Sequence, residues 1–322
     1  MKLNLKKISK LFLKKHIVVI GDVMIDKYLE GDVSRISPEA PVPVVEVNKE
    51  FSHAGGAANV AKNINGLGGM TTLIGVVGDD KEGHTLSKLF DKDTRINEKF
   101  IFDKNKRTTI KTRIVSDHQQ LIRLDYEDKN FIKDEIVNQI IKKIEGISLP
   151  IDGIIIQDYD KGLLSEKLVS WIMAYAREND IPVYIDPKNN LYNCFSGARL
   201  LKPNLNEFNY LFGDSNDFSK TSKKVMLSNN FQILLVTKGN KGLSLFTDQK
   251  ELNIPAIIKQ VHDVSGAGDT VISTFALCDS INLLPKDSAY IANIAASIVC
   301  EKPGVVPITK DLLIDKAAKY FE

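Results

Sequence analysis

Short β-branched apolar runs recur along the 322-residue chain: His16 to Ile20, Thr72 to Val77, Gly153 to Gln157, Pro182 to Ile185, Ile233 to Thr237 and Gly242 to Phe246. These read as strands. Between several of them the apolar spacing changes to three and four residues, as in Phe131, Ile132, Ile136, Ile140, Ile141 and Ile144 and again over Leu164 to Ala176. That is the period of a helix laid on a sheet. Strands alternating with helices predict an α/β fold, a mostly parallel sheet with helices on both faces.

Two stretches break the rhythm. Tyr28 to Val47 sets Pro38, Pro41 and Pro43 among alternating valines, and Thr108 to Leu124 alternates without helical spacing. They are expected to form a small separate β sheet. No repeat or low-complexity linker divides the rest, so the expectation is one main domain over residues 1–322 with β-lid insertions at about 28–47 and 108–124. The opening MKLNLKKISKLFLKK has Leu3, Ile8, Leu11 and Phe12 interrupted by charge, which suits a surface helix and gives no signal-peptide core. No apolar run approaches the roughly 18 residues of a membrane span.

Forty-three basic against forty-one acidic residues leave a charge of +2, too balanced for a protein that grips nucleic acid through its phosphates. Any anion bound should be small and held locally. Cys194, Cys278 and Cys300 have no CxxC spacing and an odd count, which fits reduced thiols in a cytoplasm. His16, His53, His84, His118 and His262 show no metal-ligand spacing, and no GxSxG nucleophile motif occurs, so a hydrolase gains no support.

The sharpest motif is DVSGAGDT, Asp263 to Thr270, followed directly by an apolar helical run from Val271 to Leu277. A glycine-rich turn that opens a helix presents free amides and the positive end of the helix dipole to an anion, and glycines let a phosphate approach the backbone. Asp269 beside such a phosphate is a poor ligand for it, because like charges repel. It suits a base that takes the proton of an attacking hydroxyl. The alternative is a capped helix in which Gly266 and Gly268 serve only the turn. A dinucleotide fingerprint fits worse, since GAGDTV lacks the third glycine, and no GxxxxGK[ST] loop is present.

Other segments point the same way more weakly. HAGGAANVAKNINGLGG, His53 to Gly69, places two glycines and Asn59 at the start of a small-residue helix, for ligand or for close packing. GDVMID sets Asp22 and Asp26 beyond the end of the first strand, where α/β sheets bind ligands and where loop capping is the other reading. KPNLNE, Lys202 to Glu207, offers Asn204 and Glu207 to a magnesium ion through water, or to a helix cap. Lys161 in QDYDKG and Lys188 in IDPK each follow a strand end, and both also read as solvated lysines.

In this order and over about Lys15 to Leu313, the motifs resemble those of the ribokinase-like (PfkB) carbohydrate kinases. The resemblance implies a ribokinase-type fold, ATP and magnesium, and a cytoplasmic enzyme. It also implies Asp269 as catalytic base with Gly266, Ala267 and Gly268 as anion hole. Asn204, Leu205, Asn206 and Glu207 would serve ATP and magnesium, Glu207 through water, while Thr237 and Gly239 lie near the nucleotide phosphates and Asn293 borders the adenine. Asp26, Gly55, Gly56 and Asn59 would hold the sugar. A monovalent cation near the 303–308 loop is left open.

Within the family, GDVMIDKYLEGDVSRISPEAPVPVVEV, GGAANVAKNI, QQLIRLD and DYDKG look like its heptose-phosphate kinases, which phosphorylate the anomeric hydroxyl of D-glycero-β-D-manno-heptose 7-phosphate toward ADP-heptose and lipopolysaccharide core. A phosphorylated sugar needs a cationic pocket. Lys188, just after the strand ending in Asp186, is the first candidate, with Arg123 and Lys161 behind it. Two features depart from the pattern: the chain ends at Glu322, where many relatives continue into a nucleotidyltransferase domain, and Asp160 puts a negative charge beside Lys161. The lid is expected to pair two chains into a homodimer. The competing readings are another sugar or nucleoside kinase of the same family and a sugar-binding sensor that has lost turnover.

Overall fold

The computed structural model describes residues 4–117, 119–188, 191–214, 216–257 and 262–321. His118 and Leu3 therefore lie outside the described residues. A nine-stranded sheet forms the body, in the order Glu251–Ile254, Leu243–Thr247, Ile233–Thr237, Leu200–Leu201, Val183–Asp186, Gly153–Gln157, His16–Gly21, Met70–Ile74 and Ile96–Glu98. Seven strands run parallel, from Ile233–Thr237 through to Ile96–Glu98, and the last two of the chain return antiparallel.

Alternate side chains of the first strand feed two separate cores. Ile17 and Val19 join the helices Leu5–Phe12, Ala57–Gly66, Ala267–Ser280 and Pro285–Cys300, while Val18 and Ile20 join Asp134–Glu145, Glu166–Glu178, Leu205–Phe212 and Phe218–Asn229. A strand apolar at every position is thus explained by burial on both faces. The expected surface helix at the N-terminus buries Leu5, Ile8 and Phe12 and leaves Leu11 in solvent.

The structure divides the expected strand over Thr72 to Val77. Met70–Ile74 belongs to the body, and after Gly75 the strand Val76–Gly78 pairs with Ile101–Asp103 in a two-stranded sheet. The helix expected from Phe131 begins at Asp134, because Phe131 itself is exposed. Leu200–Leu201, the apolar strand that precedes KPNLNE, is only two residues long, too short to carry a period.

A second sheet of four strands, ordered Pro43–Gly56, Val23–Ile36, Thr109–Ser116 and Gln119–Tyr126, stands over the carboxyl ends of the parallel strands. Its first two strands are each 14 residues long and pair from Val23↔Gly56 out to Ile36↔Pro43. They run further into the body than 28–47. Their inner ends, Val23 to Asp26 and Ala54 to Gly56, are buried, and their outer parts, from Asp32 to Ile36 and from Glu46 to Glu50, are exposed at every residue.

Candidate active site

Three neighbouring parallel strands end in register, Gly21 beside Gln157 and Gln157 beside Asp186, so that their last side chains and the loops beyond share one floor. Asp22, the next residue, caps a loop. Its buried carboxylate accepts the backbone N–H groups of Tyr159 (2.9 Å), Lys161 (3.1 Å) and Leu163 (3.2 Å), which fixes the 158–163 loop. The loop-capping reading holds for this residue.

Asp269 lies at the centre. It sits in the first turn of helix Ala267–Ser280, whose N-cap Gly266 takes φ +78°, a left-handed conformation that glycine adopts without cost. Asn59, from helix Ala57–Gly66, donates through Nδ2 to Asp269 Oδ2 at 2.8 Å. Tyr159 O–H donates to Oδ1 at 2.8 Å, and Gln157 Nε2 to the same oxygen at 3.2 Å. Burial pushes the carboxyl up to about 7, and Asp186 adds to this, whereas the hydrogen bonds from Asn59 and Tyr159 and the charge of Lys202 oppose it. A base poised near neutrality is what proton abstraction at physiological pH requires.

Beside it stands a buried ion pair. Lys202 Nζ lies 2.9 Å from Asp186 Oδ1, and Gln157 Nε2 donates to Asp186 Oδ2 at 2.9 Å, so one amide bridges two carboxyls. Burial raises Asp186, and Lys202 counters that rise. A β-carbon at Gly268 would stand only 3.4 Å from the Lys202 ammonium. The Ala267 N–H is taken by the Val264 carbonyl at 3.2 Å, so it is the cation and the amides of Gly266 and Gly268 that converge on one small volume, an arrangement that attracts phosphate.

Asn204 and Glu207 form the capping box of helix Leu205–Phe212: Glu207 N–H donates to Asn204 Oδ1 at 2.9 Å, and Asn204 N–H donates to Glu207 Oε2 at 2.8 Å. The capping alternative is thus realised. Glu207 Oε1 also holds Lys188 Nζ at 3.0 Å, which puts Lys188 with this cluster and away from the lid. Leu205 is half-buried and Asn206 exposed on the same turn. Thr237 bridges to Asn204 at the end of its strand, and Gly239 follows in an exposed turn. Asn293 is buried on helix Pro285–Cys300 with its side-chain N–H on the Pro255 carbonyl at 2.8 Å, so its amide anchors a loop. Among the described residues no three His, Cys, Asp or Glu side chains gather as a metal cage. One carboxylate and one amide suit only a magnesium that keeps most of its water and phosphate ligands.

The lid supplies the opposite wall. Asp26 is buried and pairs with Arg113 Nη1, whose guanidinium also lies over the Tyr28 ring at 5.4 Å. Gly55 approaches so closely that a β-carbon there would meet Asp26 Oδ2 at 2.2 Å. Gly56 N-caps the Asn59 helix. A cleft of about 480 Å³ opens between this face and the 262–304 loops, lined by Tyr28, Phe51, Arg113, His262, Asp263 and Gly304.

Lys161 is buried and paired with Glu127 Oε2 at 2.8 Å, while Arg123 is exposed on the lid and chelates Asp125 at 2.8 and 3.0 Å. Lys111 lies 3.4 Å from Asp125 and 4.0 Å from Glu127 and links the two pairs. Neither Lys161 nor Arg123 is a solitary surface charge. Asp160 adopts φ +57° and lies 3.8 Å from Lys129, so its charge faces Lys129.

Sequence reading misses Lys202, Gln157, Tyr159 and Arg113. Lys202 follows a buried strand directly in LKPN, and Gln157 ends a strand whose other residues are apolar, positions where a polar side chain has few reasons to be other than functional. Tyr159 and Arg113 carry no such signal.

The pattern of the pfkB carbohydrate kinases matches residues 14–311. The bifunctional protein HldE of Caulobacter sp. (strain K31) is 35% identical over 98% of this chain, and that of Haemophilus influenzae (strain PittEE) 39% identical over 92%. The chain spans 65% and 62% of those proteins, just under two thirds. Among solved structures, phosphofructokinase-2 from Escherichia coli in complex with substrates and products superimposes with a TM-score of 0.80 at 16% identity, over 95% of this chain and 99% of that one. A ribokinase from Arabidopsis thaliana complexed with ribose and ATP gives 0.68 at 18%, over 94% and 98%. These distant structures share the ribokinase-like fold. With nearly the whole length matched, the chain belongs to the pfkB family of carbohydrate kinases, phosphotransferases whose acceptor is an alcohol.

Proposed function

We propose that this chain transfers the γ-phosphoryl group of ATP to the anomeric hydroxyl of D-glycero-β-D-manno-heptose 7-phosphate, as one kinase domain whose lid closes over the sugar. The observation that carries the reading is Asp269, a buried carboxyl held near neutrality beside a glycine turn and the Lys202 ammonium. The attacking O–H gives its proton to Asp269, the oxygen forms its bond to phosphorus, and the bond to the ADP oxygen breaks. The amides of Gly266 and Gly268 and the charge of Lys202 stabilise negative charge on the phosphoryl group in flight, and the Ala267 amide joins them only by leaving the Val264 carbonyl. Magnesium, when bound through Glu207, would neutralise the nucleotide phosphates.

The heptose assignment is supported by the matched lid stretches and by the relatives named HldE. Lys188 faces the nucleotide cluster, so the sugar's own phosphate is better served by Lys161 and Arg123, joined through Glu127, Lys111 and Asp125. ADP release should be fast with heptose 7-phosphate and slow with unphosphorylated heptose. Preference for the unphosphorylated sugar, or for another hexose or pentose, would overturn the acceptor while leaving the kinase. No helix among the described residues is long and apolar enough to cross a membrane, and the three free cysteines suit a reducing cytoplasm. Strand Gln119–Tyr126 exposes every residue, including Ile122, Leu124 and Tyr126, and an uncovered apolar edge of this kind is suited to pairing with a second copy.

A further inference from the structure

Three donors are shared unequally between the two oxygens of Asp269. Among the described residues Oδ2 accepts from Asn59 alone, whereas Oδ1 accepts from both Tyr159 and Gln157. A carboxylate oxygen offers two lone pairs in its plane, so Oδ1 is filled and Oδ2 keeps one free. Gln157 alone would anchor Oδ1 poorly. Its amide gives one N–H to each carboxyl, the longer bond, 3.2 Å, going to Asp269 and the shorter, 2.9 Å, to Asp186, and among the described residues its buried Oε1 has no hydrogen-bond partner.

Tyr159 is better placed. Its backbone N–H is fixed on Asp22, its ring is half-buried, and its hydroxyl reaches Asp269 at 2.8 Å. We propose that Tyr159 is a positioning residue that pins Oδ1 of Asp269 and so makes Oδ2 the oxygen that takes the acceptor's proton. The proposal rests on Asp269 being the base and refines that reading.

The charged groups that face this carboxyl are Asp186 and Lys202 from the neighbouring strand ends, while Asp26, paired with Arg113 on the lid, acts on the Tyr159 hydroxyl. All of them survive removal of the phenol oxygen. The phenol hydrogen bond favours the ionised carboxyl, so its loss disfavours that form by one charge-assisted bond, equivalent to about one pH unit. For a group near 7, the ionised fraction at neutral pH then falls about fivefold.

The test is the pH dependence of kcat/KM for the wild type and for Tyr159→Phe, which keeps the ring and deletes only the hydroxyl. The acid limb should move up by about one unit, and activity should return to within about threefold of wild type near pH 9. A packing role alone would lower the rate at every pH and leave the limb in place. Replacing Tyr159 by 3-fluorotyrosine, of nearly the same shape and a stronger donor, should move the limb the other way. An unmoved limb in both variants, with Asp269→Asn inactive, overturns the role of Tyr159 and leaves the base intact. Near-normal turnover of Asp269→Asn would overturn both.

Discussion

Replacing Asp269 with asparagine should cost activity and raise stability, and the second effect can be computed from the site. The carboxyl is held at about 7 against an ordinary 3.8. Because the folded-state value lies above the unfolded one, protonation favours the folded protein. The stability from this group is fully present below about pH 4 and is lost as the pH climbs to about 7. The amide variant has no such dependence. Between pH 5 and pH 8 the wild type should therefore lose about 2.5 kcal/mol that the variant keeps. Asparagine also presents an N–H to the Asn59 amide that donates to Oδ2, a local loss of about 1 kcal/mol. That loss is the same at both pH values and cancels in the difference. Urea unfolding of both proteins at pH 5 and pH 8 measures it, and turnover should meanwhile fall about 100- to 10,000-fold. A stability difference that does not change with pH would refute the claim that Asp269 is buried at a cost, and with it the reason for its poise.

Lys202→Met should lower turnover about 100- to 1,000-fold by removing a cation where charge develops, and denaturation should show a loss of about 3–5 kcal/mol because Asp186 is left buried without its partner. Gly55→Ala drives a methyl into Asp26 and should reduce kcat/KM for the sugar by up to about 100-fold, with the KM for ATP unchanged in steady-state assays. Leu124→Glu on the exposed lid strand should convert a dimer to a monomer in sedimentation at micromolar concentration while changing monomer stability by no more than about 0.5 kcal/mol.

Much of the fold is legible in order of residues because burial on both faces leaves a mark at every position. His16 to Gly21 and Gly153 to Gln157 are apolar almost throughout for that reason. The lid is legible only in its outer part, where valines alternate in the sequence, and that signal is absent from Val23 to Asp26 and Ala54 to Gly56, which enter the body and are buried. Asp269 and its glycine turn are local, eight residues that carry their own geometry, and they can be read without a structure. Lys188 shows the limit. Standing two residues beyond a strand end, it has a fixed starting point, but its ammonium swings on a long stem, and the choice between Glu207 and a sugar phosphate depends on what lies across the cleft.

The parallel sheet, the helices on its two faces and the glycine turn that carries Asp269 can all be read from the chain, because each is set by periodicity or by backbone conformation within a few residues. The partners of Asp269 come from the three-dimensional packing alone. Asn59 lies 210 positions away, Gln157 lies 112 and Tyr159 lies 110, and Lys202 stands beside the glycine turn, paired with Asp186. Contacts across such distances leave no period in the chain, yet around a buried carboxyl they set its charge and the direction in which its oxygens are held.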